Sequence, residues 1–361
     1  MSEWKEYKLG EIVTFQRGHD LPKDKMVDGD IPVAGSNGVI GFHNECTLEG
    51  PGVTIGRSGN IGIPHYYPKA YWAHNTVLYV KDFKGNDPKF IYYLLKTMDF
   101  TQLNTGSAVP SLNRNHIHEL PVTVPSLDEQ RRIASILTSL DDKIDLLRRE
   151  NATLEAMAET LFRQWFVVEA NEDEVALGDV VKTTSGGTPS RKHAEYYENG
   201  TICWVKSKEL DGSFISSTEE LITEDAVSNS SAKMLPEKSV LIAMYGATVG
   251  EYGILSKPMT CNQAVCALIP NEKYPFTYLF VWAAMMKQEF INLATGAAQQ
   301  NISQDLIKQQ YVSGDVEKIK EYNSRVRSLF DKMENNQKQI QTLIQTRDGL
   351  LPRLMGGEIK I

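Results

Sequence analysis

The chain has 361 residues, 41% of them hydrophobic and 23% charged, and its 38 Lys and Arg residues against 46 Asp and Glu give a formal net charge of −8. This composition excludes a disordered or fibrous protein, and the length predicts two or three domains. The acidity argues against a chain that binds a phosphate backbone by itself, because nucleic-acid-binding domains are usually basic.

The region 1–125 is expected to be an α+β domain. Apolar or alternating runs at 31–33, 53–55 and 77–80 are broken by Gly, Asn, Pro and Ser, which is the pattern of strands and turns, and 90–98 predicts a helix. The region carries 12 Lys and Arg against 13 Asp and Glu, a balance of −1. Its N-terminal residues contain no apolar core of a signal peptide.

A long helix is expected over 126–170, because its hydrophobic residues alternate three and four positions apart, the seam spacing of a coiled coil. Pro125 and the capping box at 126–129 predict where it begins. The seam carries a single Asn near its middle, a residue type that fixes register at some cost in stability. The predicted seam residues are Ile133, Leu137, Leu140, Ile144, Leu147, Asn151, Leu154, Ala158, Leu161 and Trp165.

The remainder of the chain repeats this arrangement, with a second α+β domain over 171–314 and a second long helix over 315–361. The second domain carries 11 Lys and Arg against 17 Asp and Glu, a balance of −6. The offset between matching motifs grows from 168 to 190 residues, and their shared order predicts a duplication. The matches are 9–13 with 177–181, 53–62 with 240–250, Asn75 with Asn262, and 105–108 with 295–298.

The second helix has the same seam, and Gly356 and Gly357 predict its end. Its seam residues are Ile319, Tyr322, Val326, Leu329, Met333, Asn336, Ile340, Leu343, Arg347, Leu350 and Leu354. In a duplicated chain the simplest packing is an antiparallel pair about 60 Å long at 1.5 Å per residue, with the two domains at opposite ends. The alternative is two unrelated amphipathic helices, each on the core of its own domain.

Motifs for catalysis, metal binding or membrane insertion are not found. The glycine-rich segment 56–62 lacks the Lys-Ser/Thr of a nucleotide-binding loop, and neither the target-base tetrapeptide nor the methyl-donor motif of an amino-methyltransferase is present. Six of the seven histidines lie in the first 118 residues, whereas the second repeat has only His193, so a metal site common to both repeats is not expected. We expect no catalytic residue, no metal and no cofactor in this chain.

The four cysteines fit neither a disulfide framework nor a zinc site, so we expect reduced, buried thiols. They are Cys46, Cys203, Cys261 and Cys266. No run approaches the ~18 apolar residues that a membrane-spanning helix needs. We therefore expect a cytoplasmic chain.

Polar loops that could contact base edges occur at matching places in both repeats. Arg and Lys pair with guanine, Asn and Gln pair with adenine, and Ser and Thr adapt to either. The candidate DNA-binding residues of the first repeat are Arg17, His19, Ser36, Asn37, Arg57, Ser58, Asn60, His74, Asn75, Ser111, Asn113 and Arg114. Those of the second are Thr184, Thr188, Arg191, Lys192, Lys206, Lys208, Tyr245, Thr248, Asn262, Gln263, Gln299, Gln300 and Asn301.

The order of domain, long helix, domain and long helix resembles the specificity subunit of type I restriction–modification systems. The segments that are typical of this family are the helix opening Pro125-x4-Gln130-x2-Ile133, the loops 35–41 and 105–113, and the ending 350–359. The resemblance covers essentially the whole chain, and its strength lies in the ordered combination of these segments.

The resemblance implies a function that the residues alone do not. Each domain would be a target recognition domain for one half of a bipartite, asymmetric DNA site. The helices would dock two methyltransferase subunits, which bind S-adenosylmethionine and methylate adenine N6. Motor-nuclease subunits, which use ATP and Mg, would join for cleavage. The specificity subunit itself would have no active centre and bind no cofactor.

The chain departs from the family pattern at two places. The second helix lacks the Pro-x4-Gln opening and has Asp315 as a cap candidate, and Arg347 in the seam marks either a helix end or a partner contact. Two other functions stay open. One is a single-chain restriction or methylation enzyme with an unrecognised catalytic motif. The other is a coiled-coil adaptor that binds only proteins, which suits the acidity.

Overall fold

The structure is a computed structural model that describes residues 4–100, 103, 111–169, 173–295, 300–359 and 361. The chain divides into two compact units. Unit 1 comprises Met1–Ile144 and Thr342–Ile361, and unit 2 comprises Asp145–Gln341. Each is a mixed α+β unit, and the two long helices each contribute to both.

Unit 1 is built on two sheets and a two-stranded ribbon. The strand orders are β2-β8-β5-β6, β4-β3-β7 and β1-β9. In chain order the elements are β1 (Lys5–Lys8), α1 (Leu9–Ile12), β2 (Thr14–Arg17), β3 (Ile31–Gly35), β4 (Gly38–His43), β5 (Gly52–Gly56), β6 (Pro64–Tyr67), β7 (Trp72–Ala73), β8 (Val77–Asp82), α2 (Pro88–Lys96), α3 (Arg114–His118), β9 (Pro121–Val124) and α4 (Leu127–Arg163), which continues into unit 2.

Unit 2 repeats this plan with strand orders β11-β18-β15-β16-β13, β14-β12-β17 and β10-β19. Its elements after α4 are β10 (Glu174–Ala176), α5 (Leu177–Val180), β11 (Lys182–Ser185), β12 (Ile202–Val205), β13 (Phe214–Ile215), β14 (Leu221–Ile222), α6 (Glu224–Ser228), β15 (Val240–Ala243), β16 (Tyr252–Leu255), β17 (Thr260–Cys261), β18 (Val265–Ile269), α7 (Phe276–Thr295), α8 (Gln304–Lys308), β19 (Tyr311–Ser313) and α9 (Val316–Met355), whose last part belongs to unit 1.

The duplication is visible in details of the backbone. The strand pairs β3–β7 and β12–β17 are parallel, whereas most other strand pairs are antiparallel. An isolated antiparallel bridge joins Ser58 to Ser111 in unit 1, and the equivalent bridge in unit 2 joins Tyr245 to Asn301. The same loops are therefore held together in both units by the same kind of backbone contact.

The buried core of each unit lies between its main sheet and a helix. In unit 1, Phe90, Ile91, Leu94 and Leu95 of α2 are buried in one cluster with the sheet. The helix begins at this place because the Asp87 carboxylate accepts a hydrogen bond from the Phe90 backbone N–H at 2.9 Å. In unit 2 the equivalent helix is the longer α7, and its first half is almost entirely buried.

The Pro125-x4-Gln130 segment has a structural role in unit 1. Gln130 is 2% exposed, and its Nε2 donates to the side-chain oxygen of Asn86 at 2.8 Å and to the carbonyl oxygen of Pro125 at 3.0 Å. Its Oε1 accepts the backbone N–H of Asp87 at 3.0 Å. The motif therefore fastens the start of α4 to the start of α2.

Within unit 2 the long helices pack antiparallel. The two Asn residues that the sequence places in the seam meet, with Asn336 Nδ2 donating to Asn151 Oδ1 at 2.9 Å. Further along α4, the Tyr322 hydroxyl donates to the carbonyl oxygen of Ala158 at 3.1 Å. Asp315 caps α9 as expected, since its carboxylate accepts the backbone N–H of Lys318 at 3.0 Å.

Within unit 1, Arg347 neither ends the helix nor is left without a partner inside the chain. Its guanidinium lies 2.7 Å from the Asp141 carboxylate of α4, and the other oxygen of that carboxylate accepts the Tyr93 hydroxyl at 2.7 Å. The side chains of Arg347 and Asp141 are 19% and 25% exposed, so this ion pair is partly buried. It occupies a seam position that the heptad pattern assigns to an apolar residue.

None of the predicted seam residues is exposed, but the buried face of the helices in unit 2 is wider than a coiled-coil seam. Phe162 and Phe330, which each follow a predicted seam residue, are also buried. The ring centroid of Phe162 lies 5.2 Å from that of Tyr278, and the ring centroid of Phe330 lies 5.5 Å from that of Phe280, both in α7. The long helices therefore pack both on each other and on the α+β core of this unit.

The cysteines Cys203, Cys261 and Cys266 are buried, Cys46 is half-buried, and all four are free thiols. Burial raises the pKa of Cys261 to about 12, which keeps its thiol protonated. In the described ranges, no helix is long and apolar enough to cross a membrane.

Candidate nucleic-acid interface

All twelve candidate residues of unit 1 lie in one group of loops, at 17–20, 36–37, 57–60, 74–76 and 111–114, which we call loop cluster 1. Ser36 is central to it, because its hydroxyl lies 2.6 Å from the carbonyl oxygen of Ser58 and 2.9 Å from that of Thr76. The His74 Nδ1 is hydrogen-bonded to the Thr76 hydroxyl at 3.0 Å. These side chains hold the loops together, so their polar atoms are less available to a ligand.

Two amide side chains in loop cluster 1 link neighbouring loops near the surface. Asn60 Nδ2 donates to Asn37 Oδ1 at 2.6 Å, and both side chains are exposed. Asn75 donates to the carboxylate of Asp20, a residue that the sequence did not single out. Equivalent loops are linked in unit 2 by the Thr188 hydroxyl, which donates to the Gln263 side chain.

This pairing corrects one match within the repeat. The carbonyl oxygen of His74 accepts the backbone N–H of the residue three positions later at 3.1 Å, and that of Asn262 does the same at 3.3 Å. Asn262 is therefore equivalent to His74, and Asn75 is equivalent to Gln263. The sequence match was one residue out because the Asn of the first loop, Asn75, stands one position later than the Asn of the second loop, Asn262.

Three arginines of loop cluster 1 border an open cleft, which we call the arginine cleft. Its lining residues are Arg17, Arg57, Leu78, Ser111, Leu112, Asn113 and Arg114. Arg17 forms a 3.5 Å ion pair with Asp20 in which both side chains are more than half exposed, so the pair holds Arg17 only weakly. The Asn113 side-chain oxygen accepts the backbone N–H of Asn115 at 3.0 Å and caps α3. The cleft therefore offers mainly guanidinium donors.

Two further histidines of unit 1, His118 and His43, serve the fold. His118 Nε2 accepts the backbone N–H of Phe15 at 3.0 Å, and burial, helped by the charges of Lys84 and Arg114, lowers the pKa of this histidine. His43 Nδ1 accepts the backbone N–H of Val27 at 3.1 Å. Across the described part of the chain, no group of three or more His, Cys, Asp or Glu residues could hold a metal ion.

His19 differs from these, because it is exposed. Its ring stacks on Tyr79 with centroids 6.0 Å apart and meets the edge of Trp72 at 6.3 Å. His19 is two residues after Arg17 in the sequence, but it does not line the arginine cleft. The structure thus places His19 on an aromatic patch of unit 1.

In unit 2 three of the four candidate cations, Arg191, Lys206 and Lys208, are neutralised by carboxylates. Lys206 Nζ lies 2.8 Å from Glu220 and 3.1 Å from Glu219, and the hydrogen bond to Glu220 raises the pKa of this lysine. Lys208 pairs with Glu219 at 2.7 Å and Arg191 with Glu220 at 2.6 Å. Hydrogen bonds from Lys206 and Arg191 lower the pKa of Glu220, so it stays ionised. These cations are thus poorly suited to neutralise phosphates.

Arg191 is held by aromatic rings as well. Its guanidinium lies 4.0 Å from the centre of the Tyr197 ring and 5.4 Å from that of Trp204. Lys192, the next residue, is exposed and makes no ion pair with any other residue that the structure describes. It is therefore the candidate cation of unit 2 that is freest to contact a ligand.

The uncharged candidates of unit 2 divide into two groups. Thr248 and Asn262 are used locally, because the Thr248 hydroxyl donates to the Tyr245 carbonyl oxygen at 3.0 Å and the Asn262 side chain accepts the Ala264 backbone N–H at 3.1 Å. The half-buried Thr184 hydroxyl lies 3.4 Å from the ammonium group of Lys233. Side chains at the surface are those of Thr188, Tyr245, Gln263 and Gln300, with Asn301 half-buried in its bridge. Gln299 lies outside the described residues.

Comparisons with known proteins give a consistent assignment. The family model described as "Type I restriction modification DNA specificity domain" matches residues 1–156 and 170–314. The MjaIX specificity subunit of Methanocaldococcus jannaschii is 28% identical over 88% of this chain and 80% of its own length. The HindI specificity subunit of Haemophilus influenzae is 25% identical over 99% of this chain and 100% of its own length.

A solved structure has the same fold. The crystal structure of the type I restriction–modification S subunit from M. genitalium superposes with a TM-score of 0.64 at 16% identity, over 98% of this chain and 96% of that chain. This similarity shows the fold, and the matched family model, which covers most of the chain, identifies the family. The chain belongs to the type I restriction–modification DNA specificity family, whose members are the non-catalytic recognition subunits of these enzymes.

Proposed function

We propose that this chain recognises a bipartite, asymmetric DNA sequence, with one half contacted by each unit. The observation that carries the proposal is that the two units share one strand arrangement, apart from the additional strand β13 of unit 2, and present equivalent loops with different side chains. Loop cluster 1 presents arginines, whereas unit 2 presents Tyr245, Gln263 and paired cations. Equivalent scaffolds with unlike donors and acceptors favour unlike half-sites. The recognition domains would be 1–125 and 171–314.

The long helices, 126–170 and 315–361, would separate the two recognition domains and dock two adenine-N6 methyltransferase subunits, with motor-nuclease subunits joining through them. S-adenosylmethionine would be bound by the methyltransferase subunits, and ATP and Mg by the motor-nuclease subunits. The chain itself would bind no cofactor and would act in the cytoplasm, where its DNA substrate is found.

The charge distribution supports different roles for this chain and its partner subunits in binding DNA. Because Glu219 and Glu220 neutralise three cations of unit 2, the partner subunits would supply much of the phosphate contact. The chain alone should then bind DNA in the non-specific range, about 10⁻⁶ M or weaker. The complex with the methyltransferase subunit should reach about 10⁻⁸ M or tighter on its target.

A reconstitution experiment tests this function. The full chain, the cognate methyltransferase subunit, and both together are incubated with S-adenosylmethionine and a random-sequence duplex library. We expect sequence-specific N6-methyladenine only in the complete mixture. Methyl transfer by the chain alone would instead identify a single-chain enzyme. Methylation whose sequence dependence does not change when the chain is added would identify a protein adaptor.

A further inference from the structure

The arginine cleft of unit 1 contains guanidinium groups with no partner in the described part of the chain. Arg57 and Arg114 make no side-chain hydrogen bond or ion pair with the residues that the structure describes, and Arg17 has only its exposed pair with Asp20. Three like charges around one cleft repel one another, so the arrangement favours a ligand that supplies acceptor atoms. Region 1–125 has a balance of −1, so the three arginines are not part of an excess of positive charge in the domain as a whole.

Arg57 is the best positioned of the three. Its side chain is half-buried, and its backbone is fixed on both sides. The Arg57 N–H donates to the carbonyl oxygen of Thr76 at 2.8 Å, and its carbonyl oxygen accepts the N–H of Leu112 at 2.9 Å. A guanidinium on a fixed backbone loses less conformational freedom on binding than one on a free loop.

Unit 2 has no charge at the position equivalent to Arg57. Arg57 precedes the bridged residue Ser58, and Met244 precedes the equivalent bridged residue Tyr245. Met244 is 2% exposed and belongs to the apolar core. The difference is a property of the two loops and not of the shared scaffold.

In unit 2 the positions equivalent to Arg17 and Arg114 hold uncharged side chains that are hydrogen-bonded to each other. Arg17 ends β2 and Arg114 begins α3, whereas Ser185 ends β11 and Gln304 begins α8. Ser185 Oγ donates to Gln304 Oε1 at 2.7 Å, and Gln304 Nε2 donates to Thr183 Oγ1 at 2.7 Å. The equivalent place in unit 2 is therefore neutral and already hydrogen-bonded.

From this contrast we propose that Arg57, flanked by Arg17 and Arg114, recognises guanine in the half-site of unit 1, and that the half-site of unit 2 is recognised without arginine at the equivalent place. The inference rests on the proposed DNA-recognition function. A guanidinium fork matches the O6 and N7 acceptors of guanine in the major groove. A phosphate offers similar acceptors but carries no sequence information, so the two sources give different results when one arginine is changed.

The test uses the full chain in complex with its methyltransferase subunit, with Arg57→Ala, Arg57→Lys and the control Lys81→Ala. Lys81 is an exposed cation of unit 1 that lies outside the arginine cleft. Methylation of a randomised library is sequenced, and affinity is measured at several salt concentrations. Guanine recognition predicts that Arg57→Ala lowers discrimination about 5- to 150-fold at one guanine of one half-site and leaves the other half-site unchanged.

The remaining variants and the wild type make the result decisive. Arg57→Lys keeps the charge but loses the fork, so its discrimination should fall between that of the wild type and that of Arg57→Ala. Lys81→Ala should keep the wild-type motif. If Arg57→Ala instead binds all DNA sequences equally more weakly and methylates an unchanged motif, Arg57 contacts a phosphate and the inference is overturned. The salt dependence of its DNA affinity would then fall by about one phosphate contact. A wild-type motif in which neither half-site contains a G·C base pair would overturn the inference as well. Failure of the DNA-recognition function itself would appear separately, as wild-type methylation without any motif.

Discussion

Deleting residues 143–149 from α4 together with 338–344 from α9 is expected to shorten the spacer of the recognised DNA sequence by about three base pairs. Seven helical residues span about 10.5 Å at 1.5 Å per residue, and three base pairs span about the same length at 3.4 Å each. Both helices run through both units, so a matched deletion shortens both connections. The readout is the motif that the variant methylates in complex with its methyltransferase subunit.

The deleted segments are chosen to leave the helix pairing intact. They lie between the Asp141–Arg347 pair and the Asn151–Asn336 pair, so neither pair loses a member. Seven residues is one heptad, and the seams stay in phase across the new junctions. A control deletion of five residues from each helix turns the seams by about 150° across the junction and should abolish methylation. A folded heptad variant with an unchanged spacer would show that the helices do not set the spacing.

Phe330→Ala should lower the free energy of unfolding of unit 2 by about 3–5 kcal/mol. The ring is 0% exposed and lies 5.5 Å from Phe280, 5.7 Å from Phe276 and 6.5 Å from Phe214. Its removal leaves a cavity where α9 packs on the α+β core, in addition to the loss of buried apolar surface. For a unit of this size we expect the Tm to fall by roughly 6–20 °C in calorimetry.

Met157→Ala is the matched control for this prediction. Met157 lies on α4 in the same unit and is 54% exposed, so its truncation should change the free energy of unfolding by less than about 0.5 kcal/mol. If Phe330→Ala lowers the Tm no more than Met157→Ala does, α9 does not pack on the core of unit 2 through Phe330.

Features with a local signature in the chain could be predicted from the sequence. The heptad seams and the cap at Asp315 depend on residues a few positions apart, and each repeated motif is itself a short local segment. The meeting of Asn151 with Asn336 also follows from the seam, because each is the single Asn among the seam residues of its helix. The equivalence of the two units was visible in the same way, except for the shift at Asn262.

Features that depend on distant residues could not be predicted. Phe330 was missed because its burial comes from α7, which lies some fifty residues before it and outside the heptad pattern. Lys206 and Arg191 were candidates for DNA contact because nothing near them in the chain shows that Glu220 neutralises both. The acidity of the second domain was the one available sign that its cations would be paired. In loop cluster 1, likewise, Ser36 has its partners in other loops.

Genome-wide mapping of N6-methyladenine in cells that express this chain with its methyltransferase subunit tests the central claim most directly, namely that each unit recognises one half of the target. We expect a single interrupted motif with two unlike half-sites separated by a spacer of fixed length and free sequence. A continuous motif, a palindromic pair of half-sites, or methylation without any motif would contradict recognition by two differently equipped units.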